Sequence, residues 1–158
     1  MTSITYDDVY SKFYTKVEAF DFLYEGMSDN MVAEFMSSWL RSAIAYPYIR
    51  RLFSSVSIDA EEDLIEFELL NSLDEFSDAE FVKEVLAYGM IYSWLEPKVR
   101  SITNIYQNFT SSEQKYYSQA SHLSELRSLL SDSEARIRSL IRDRGYVKNK
   151  YLDGDMDL

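Results

Sequence analysis

The sequence predicts a mainly α-helical protein, a bundle of four to five helices with a long helix towards the C-terminus. Glycine and proline are scarce, with four and two among 158 residues. The chain therefore has too few turn-forming residues for a fold that is rich in tight turns. Apolar residues recur at steps of three and four over much of the chain, which is the period of a helix with one buried face. We therefore expect a single helical domain over residues 1–145 and a flexible C-terminal tail over residues 146–158.

Capping residues mark two helix starts in the first third of the chain. The Thr5 hydroxyl can accept a hydrogen bond from a first-turn N–H, so a first helix is predicted from Thr5 to about Gly26. A second helix is predicted to begin at Ser28. It ends or kinks before Pro47, because proline disfavours helical geometry in the residue that precedes it.

The segment 54–70 is the least helical part of the chain. Apolar residues alternate with serine over 56–58 and with glutamate over 65–69, a period of two that is typical of a half-buried β-hairpin. Leu64 and Leu70 interrupt this alternation. A short hairpin is therefore the first interpretation of the segment, and a helix is the alternative.

A further helix start is indicated by the sequence Ser77-Asp78-Ala79-Glu80, which has the form of a capping box. Within the helix that follows, Gly89 favours the close approach of another helix or a bend. Pro97 predicts either a kink or a restart, because proline is well tolerated in a first helical turn.

The last helix is predicted from about Ser112 to Arg144, with Gly145 as its C-terminal stop. Unbroken, it would be about 50 Å long. That length exceeds the radius of gyration of about 15 Å expected for a compact chain of this size. A second capping box, over residues 131–134, favours a division into two helices as the alternative.

Charge is unevenly distributed along a chain whose formal net charge is −11. The stretch from Asp59 to Glu84 carries eleven carboxylates and one lysine, whereas residues 136–150 carry a net charge of +5. The overall sign argues against sequence-independent binding to nucleic acid. Either the two stretches are solvated faces, or the basic end of one copy docks on the acidic middle of another molecule. The residues of this predicted subunit interface are Arg136, Arg138, Arg142, Arg144, Glu61, Glu62, Asp63, Glu66 and Glu68.

The residue types that most enzymes require are scarce. The chain has no cysteine, one histidine, no Gly-rich phosphate loop and no nucleophile elbow, so we expect no catalytic, metal or cofactor site. His122 and Glu125 share a helix surface, but a di-metal bundle needs two such pairs. Asp153, Asp155 and Asp157 have the opening spacing of a calcium loop whose later ligands do not follow. No apolar run reaches the roughly 18 residues of a membrane span and no signal peptide is recognisable, so we expect a cytosolic protein.

Several features follow one another in a recognisable order. They are the opening helix with Thr5-Tyr6-Asp7-Asp8-Val9, the helix that carries Trp39-Leu40 and ends near Tyr46-Pro47, the acidic stretch, the helix ending Ser93-Trp94-Leu95-Glu96-Pro97, and the long helix ending Arg142-Asp143-Arg144-Gly145-Tyr146. This layout, which covers nearly the whole chain, resembles the head–tail connectors (neck or head-completion adaptors) of tailed bacteriophages.

The resemblance implies a non-enzymatic subunit of a dodecameric ring in the virion neck, below the portal, that is assembled in the host cytoplasm. Its partners would be other copies of itself, the portal protein, and the tail or another neck protein. DNA would pass through the bore of the ring without sequence-specific contact, and no membrane is involved. The C-terminal arm of the family contacts the portal, and the corresponding residues here are Tyr146, Val147, Lys148, Lys150, Tyr151 and Leu152.

Two other functions agree with the same sequence. An acidic inhibitor that mimics DNA would bind the nucleic-acid groove of a host protein. A small cytosolic regulator would dimerise through its last helix. The thirteen tyrosines favour a protein-binding role, because tyrosine is enriched at interfaces, although they can also fill the core of a bundle.

Overall fold

A computed structural model describes residues 1–17, 28–108 and 113–147, with the side chains of 101–122, 146 and 147 left outside the description. Within these residues the protein is mainly helical, with a small antiparallel sheet, so the expected fold class is confirmed in outline. The elements are β1 (Thr2–Thr5), α1 (Tyr6–Val17), α2 (Asp29–Ala45), α3 (Pro47–Arg50), β2 (Phe53–Asp59), β3 (Leu64–Leu69), α4 (Glu75–Asn108) and α5 (Glu113–Val147).

The sheet has the strand order β1-β3-β2, with β3 in the centre and antiparallel to both neighbours. The predicted hairpin is confirmed as β2 and β3. Its inner face contributes Ile65 and Phe67 to the core, while Glu66 points to the solvent on the opposite face. The sequence did not indicate β1, because four residues with one buried side chain, Ile4, are too few to show an alternating pattern.

The predicted starts of the first two helices are confirmed. Thr5 Oγ1 accepts a hydrogen bond from Asp8 N at 3.2 Å, and Asp8 Oδ2 accepts one from Thr5 N at 3.0 Å. This bond from Thr5 N–H holds the pKa of Asp8 below its ordinary value, because it stabilises the carboxylate. Ser28 caps α2 by accepting from Met31 N, and α2 ends before Pro47 as expected. The predicted end near Gly26 lies outside the described residues.

The predicted capping box at Ser77 is wrong, because α4 begins two residues earlier. Asp74 accepts hydrogen bonds from Ser77 N at 2.9 Å and from Ser77 Oγ at 2.7 Å. Asp74 therefore satisfies the first turn of the helix, and Ser77 lies inside that turn. The neighbouring Asp78 is buried instead of being part of an exposed cap.

The two longest helices, α4 and α5, have 34 and 35 residues and are each about 50 Å long. They are antiparallel, because Asp78 near the start of α4 contacts Arg144 near the end of α5. The helix α4 continues through Pro97 without restarting. Their pairing explains how such long helices belong to a small domain: each one provides the surface against which the other packs.

The helix α5 is continuous, so of the two interpretations the undivided helix is confirmed and the division at residues 131–134 is wrong. The predicted stop at Gly145 is also wrong. Ser133 does not cap a new helix, because its hydroxyl is buried and donates to Leu129 O at 2.7 Å within the continuous helix. The helix passes through Gly145 and includes Tyr146 and Val147, which we had assigned to the tail. Residues 148–158 lie outside the described part of the chain.

The core lies where α1 and α2 pack on α4, with the inner face of the sheet beside them. Three aromatic rings, one from each helix, meet there. The ring centroids of Phe13 and Trp39 are 5.9 Å apart, and each lies about 6 Å from Trp94. Such pairs stabilise a core beyond the area they bury. Leu126 and Ile137 of α5 complete it.

Gly89 provides the close helix approach that the sequence predicted. A Cβ at this position would lie 2.7 Å from Ile49 Cδ1 and 2.8 Å from Ala43 Cβ, closer than side chains pack. At Gly145, by contrast, a Cβ would meet nothing within 4 Å. The two glycines are therefore both helical, but only Gly89 is required by packing.

We predict opposite effects of alanine at these two positions. Gly89→Ala should lower the free energy of unfolding by about 1–3 kcal/mol, because Ile49 and the α2 backbone must move apart. Gly145→Ala should raise it by up to about 1 kcal/mol, because alanine favours helix and meets no neighbour. Urea denaturation followed by circular dichroism measures both. Equal effects of the two substitutions would contradict the close approach at Gly89.

Candidate interaction surfaces

The acidic stretch divides into a part that is neutralised within the chain and a part that is not. On α4, Glu80 Oε2 lies 3.0 Å from Lys12 Nζ, and Glu84 Oε1 lies 2.8 Å from Lys16 Nζ. The hydrogen bond from Lys12 lowers the pKa of the Glu80 carboxyl. These carboxylates attach α1 to α4, so they serve the fold of their own chain.

Asp78 is the most buried carboxylate of the stretch, with a side chain only 3% exposed. One carboxylate oxygen accepts from Leu73 N at 3.0 Å and also binds Arg144 Nη2, and the other accepts from Ser72 Oγ at 2.5 Å. The Arg144 guanidinium stacks 4.9 Å from the centre of the Phe81 ring. Both partners of this ion pair are therefore enclosed by their own chain.

This ion pair changes the predicted subunit interface. Arg144 is 10% exposed and is bound to Asp78 of the same chain, so it is not available to a second copy. Arg136, Arg138 and Arg142 are exposed, and the prediction rests on these three. Arg136 lies on a different face of α5 from Arg138, because a step of two residues along the helix corresponds to a rotation of about 200° around its axis.

Asp74 and Glu75 lie at the start of α4, whereas six further carboxylates of the stretch lie on the β2–β3 hairpin, and we call this group of six the acidic hairpin. Within residues 1–17, 28–108 and 113–147, none of them forms an ion pair. Asp59 Oδ1 accepts from Glu61 N and Glu62 N, which shapes the turn and holds neighbouring carboxylates together in spite of their repulsion. The members of the acidic hairpin are Asp59, Glu61, Glu62, Asp63, Glu66 and Glu68, and all are exposed.

A second charged group, which we call the basic surface, consists of Tyr48, Arg51, Arg138 and Arg142. The guanidinium carbons of Arg51 and Arg138 lie 4.7 Å and 5.3 Å from the centre of the Tyr48 ring. Arg138 also binds Glu134 at 2.8 Å, and Arg142 follows one turn later with 63% of its side chain exposed. Stacking on tyrosine orients two arginines on one surface, where their charges face the solvent.

Sequence reasoning missed half of this surface. It identified Arg138 and Arg142 from the charge of the last helix, but not Tyr48 or Arg51. The adjacent pair Arg50-Arg51 was a signal in the sequence. This signal could be interpreted only from the structure, in which α3 lies beside α5. Tyr48 of α3 contacts Arg138 of α5, ninety positions later in the sequence.

The basic surface and the turn of the acidic hairpin lie at opposite ends of β2. Arg51 is two residues before the first residue of β2, and Asp59 is its last residue. Seven extended residues span about 20 Å. That distance is more than twice the screening length of about 8 Å at physiological ionic strength, so the carboxylates of the turn do not neutralise the basic surface within one chain. Glu68 lies nearer to the basic surface, because it pairs with Ser55 close to the first residue of β2.

Several other predicted residues receive no side-chain description. Tyr146 and Val147 end α5, while Lys148, Lys150, Tyr151 and Leu152 lie outside the described residues, as does the Asp153–Asp157 spacing. In the part of the chain that the structure describes, no three His, Cys, Asp or Glu residues are grouped so that they could hold a metal ion. No helix searched there is both long and apolar enough to cross a membrane.

The tyrosines of α1 divide between core and surface. Tyr6 is buried and belongs to the core, whereas Tyr14 is 45% exposed. Burial raises the pKa of Tyr10, which lies between them in sequence, to about 12. Bundle filling therefore accounts for Tyr6, and only Tyr14 is presented at the surface as the interface interpretation requires.

We predict that Asp78→Ala lowers the free energy of unfolding by about 3–5 kcal/mol, because it leaves the buried Arg144 without a counter-charge. The double variant Asp78→Ala/Arg144→Met should recover part of that loss, since methionine removes the buried charge and keeps an apolar stem. Urea denaturation of the single and double variants gives the coupling between the residues. A loss below about 1 kcal/mol for Asp78→Ala would show that the pair is dispensable.

Comparison with known proteins finds no family model, curated protein or solved structure that matches the chain. The resemblance to head–tail connectors consequently stays an expectation from the layout of the sequence. The two oppositely charged surfaces at the ends of β2 are the features of the molecule from which its function has to be inferred.

Proposed function

We propose that the protein is a structural subunit of a phage neck ring, which joins the capsid portal to the tail and forms part of the DNA passage. The position of the basic surface and the turn of the acidic hairpin at opposite ends of β2 carries this proposal. A contact between two different patches on identical chains is heterologous, and it forms a ring when the rotation closes. The layout of the sequence supplies the resemblance to neck proteins.

The charges of the two surfaces support contact between copies. Arg51 and Arg142 belong to the basic surface near the first residue of β2, while Glu61 and Glu62 lie in the turn that follows its last residue. The acidic hairpin makes no ion pair among the described residues. On the basic surface, Arg138 and Arg142 contact carboxylates of their own helix, and Arg51 has no carboxylate partner in the part of the chain that is described. A neighbouring copy would provide the opposite charge that the hairpin and Arg51 lack. Exposed ion pairs contribute little affinity each, so they would set the orientation of neighbouring copies more than the strength of the ring.

The net charge of −11 also agrees with a channel for DNA. A ring of acidic subunits repels phosphates and does not hold the passing duplex, whereas a nucleic-acid-binding protein requires a large basic surface. The basic surface is small, and contact with the neighbouring copy would cover it. The assembled ring would then present mostly carboxylates.

A charge reversal tests the contact between copies. Arg138→Glu/Arg142→Glu should weaken self-association at least about tenfold at low salt, because two attractive charges become repulsive. A matched control, Arg41→Glu/Arg100→Glu, makes the same charge change at exposed positions on α2 and α4 and should assemble normally. Analytical ultracentrifugation measures association, and circular dichroism verifies the helical fold.

A second variant makes the test reciprocal. Glu61→Lys/Glu62→Lys should also assemble poorly alone, but its mixture with Arg138→Glu/Arg142→Glu should regain association, because each variant offers one intact surface to the other. Equal assembly of the charge-reversed variant and the control, or a wild-type chain that stays monomeric at low salt, would overturn the head-to-tail contact.

The place in the virion has a separate prediction. Mass spectrometry of purified phage particles should find the protein at a copy number similar to that of the portal. The acidic hairpin alone would equally suit an inhibitor that mimics DNA, because its carboxylates are free of ion pairs among the described residues. An inhibitor would be absent from particles and would co-purify with a basic host protein, and that result would overturn the neck proposal.

A further inference from the structure

A groove of about 290 Å³ opens where the end of α3, the end of β3, the first turns of α4 and the end of α5 meet. Its walls are mainly apolar, and two arginines lie at its margins. The groove is distinct from the acidic hairpin, although Arg51 belongs both to it and to the basic surface. The lining residues that matter here are Leu52, Leu69, Phe81, Ile141, Arg51 and Arg144.

Exposed apolar side chains accompany the groove. Leu70, which lines it, is 64% exposed. Within the next six residues of the chain, Leu73 on the loop after β3 is 41% exposed and Phe76 in the first turn of α4 is 76% exposed. Single exposed apolar side chains are ordinary on protein surfaces, but one that lines an apolar groove enlarges the surface that a partner can bind.

The polar atoms of the groove indicate an anionic occupant. Arg144 Nε is buried and has no hydrogen-bond partner among the described residues, although the Arg144 Nη atoms are bound to Asp78 and to Ser77 O. The guanidinium of Arg51 stacks on Tyr48 and makes no ion pair there. A segment that carries apolar side chains followed by carboxylates would complement both the walls and the margins.

We propose that this groove binds residues 148–158 of the same chain. Gly145 of α5 lines the groove, and the segment begins three residues later in the sequence. Tyr151 and Leu152 supply apolar surface, and Asp153, Asp155 and Asp157 supply the negative charge that Arg51 lacks. Eleven residues can extend about 36 Å, so the segment reaches all of the groove from the end of α5.

Attachment to α5 makes even weak binding sufficient. A short linker gives a tethered segment an effective concentration on the order of 1 mM. If the free peptide binds with a Kd of about 0.1 mM, the same segment attached to α5 would be bound in the groove about ten times as often as it is unbound. This proposal goes beyond the ring and does not depend on it.

The experiment follows the fluorescence anisotropy of a fluorescein-labelled peptide with the sequence of residues 148–158 while the protein is titrated up to about 1 mM, ten times the expected Kd. We expect the full chain carrying Tyr151→Ser/Leu152→Ser to bind the peptide with a Kd near 0.1 mM, because its own segment no longer competes. The wild-type chain should bind at least about tenfold more weakly. Adding Leu70→Glu to the Tyr151→Ser/Leu152→Ser chain should abolish binding, and this exposed position tolerates the charge without loss of the fold.

Three results would overturn the proposal. They are equal binding to the wild-type and Tyr151→Ser/Leu152→Ser chains, no binding to either, or binding that Leu70→Glu leaves unchanged. A scrambled peptide controls for charge alone, and circular dichroism verifies that the variants are folded. Self-association is followed separately by ultracentrifugation, so failure of the groove and failure of the ring are distinguished.

Discussion

The buried ion pair between Asp78 and Arg144 is the constraint on which the arrangement of the two long helices depends. It joins residues 66 positions apart, at the end of the α4–α5 pair that is remote from residues 109–112. Buried ion pairs contribute more to the choice of one arrangement than to net stability, because desolvation opposes their attraction. Bonds from Ser72 Oγ and Leu73 N to the carboxylate complete its coordination, so α5 is held in one register on α4.

The acidic stretch, which is uniform in sequence, has several roles in the structure. Asp74 caps α4, Glu80 and Glu84 attach α4 to the lysines of α1, and Asp78 is buried with Arg144. The acidic hairpin makes no ion pair among the described residues and is free to meet another molecule. Composition predicted that a charged surface exists and which end of the chain is basic. It could not separate these roles, because the ion pairs within the chain depend on cations that are remote in sequence. The same limit hid the contact between Arg138 and Tyr48, which brings Arg51 onto one surface with α5.

The parts of the fold that local chemistry determines were predictable. The caps at Thr5 and Ser28 and the hairpin follow from hydrogen-bonding side chains and from a period of two. The start of α4 was not predictable, since Asp74 and Ser77 both fit the pattern of a cap. The burial of Asp78, which pairs with Arg144 of α5, places Ser77 inside the helix and leaves Asp74 as the cap. The continuity of α5 likewise depends on its packing along α4, which outweighs the break signals at 131–134 and at Gly145.

The helix α4 extends thirteen residues beyond Leu95, the last of its fully buried side chains among those described. That extension is about 20 Å of helix beyond the aromatic cluster around Trp94, and α5 is its antiparallel neighbour. A change of about 10° in the direction of α4 at the cluster would displace its far end by about 3.5 Å, roughly the width of one side-chain contact. Because α5 packs on α4, a small change in how these rings pack would shift the far end of both helices together.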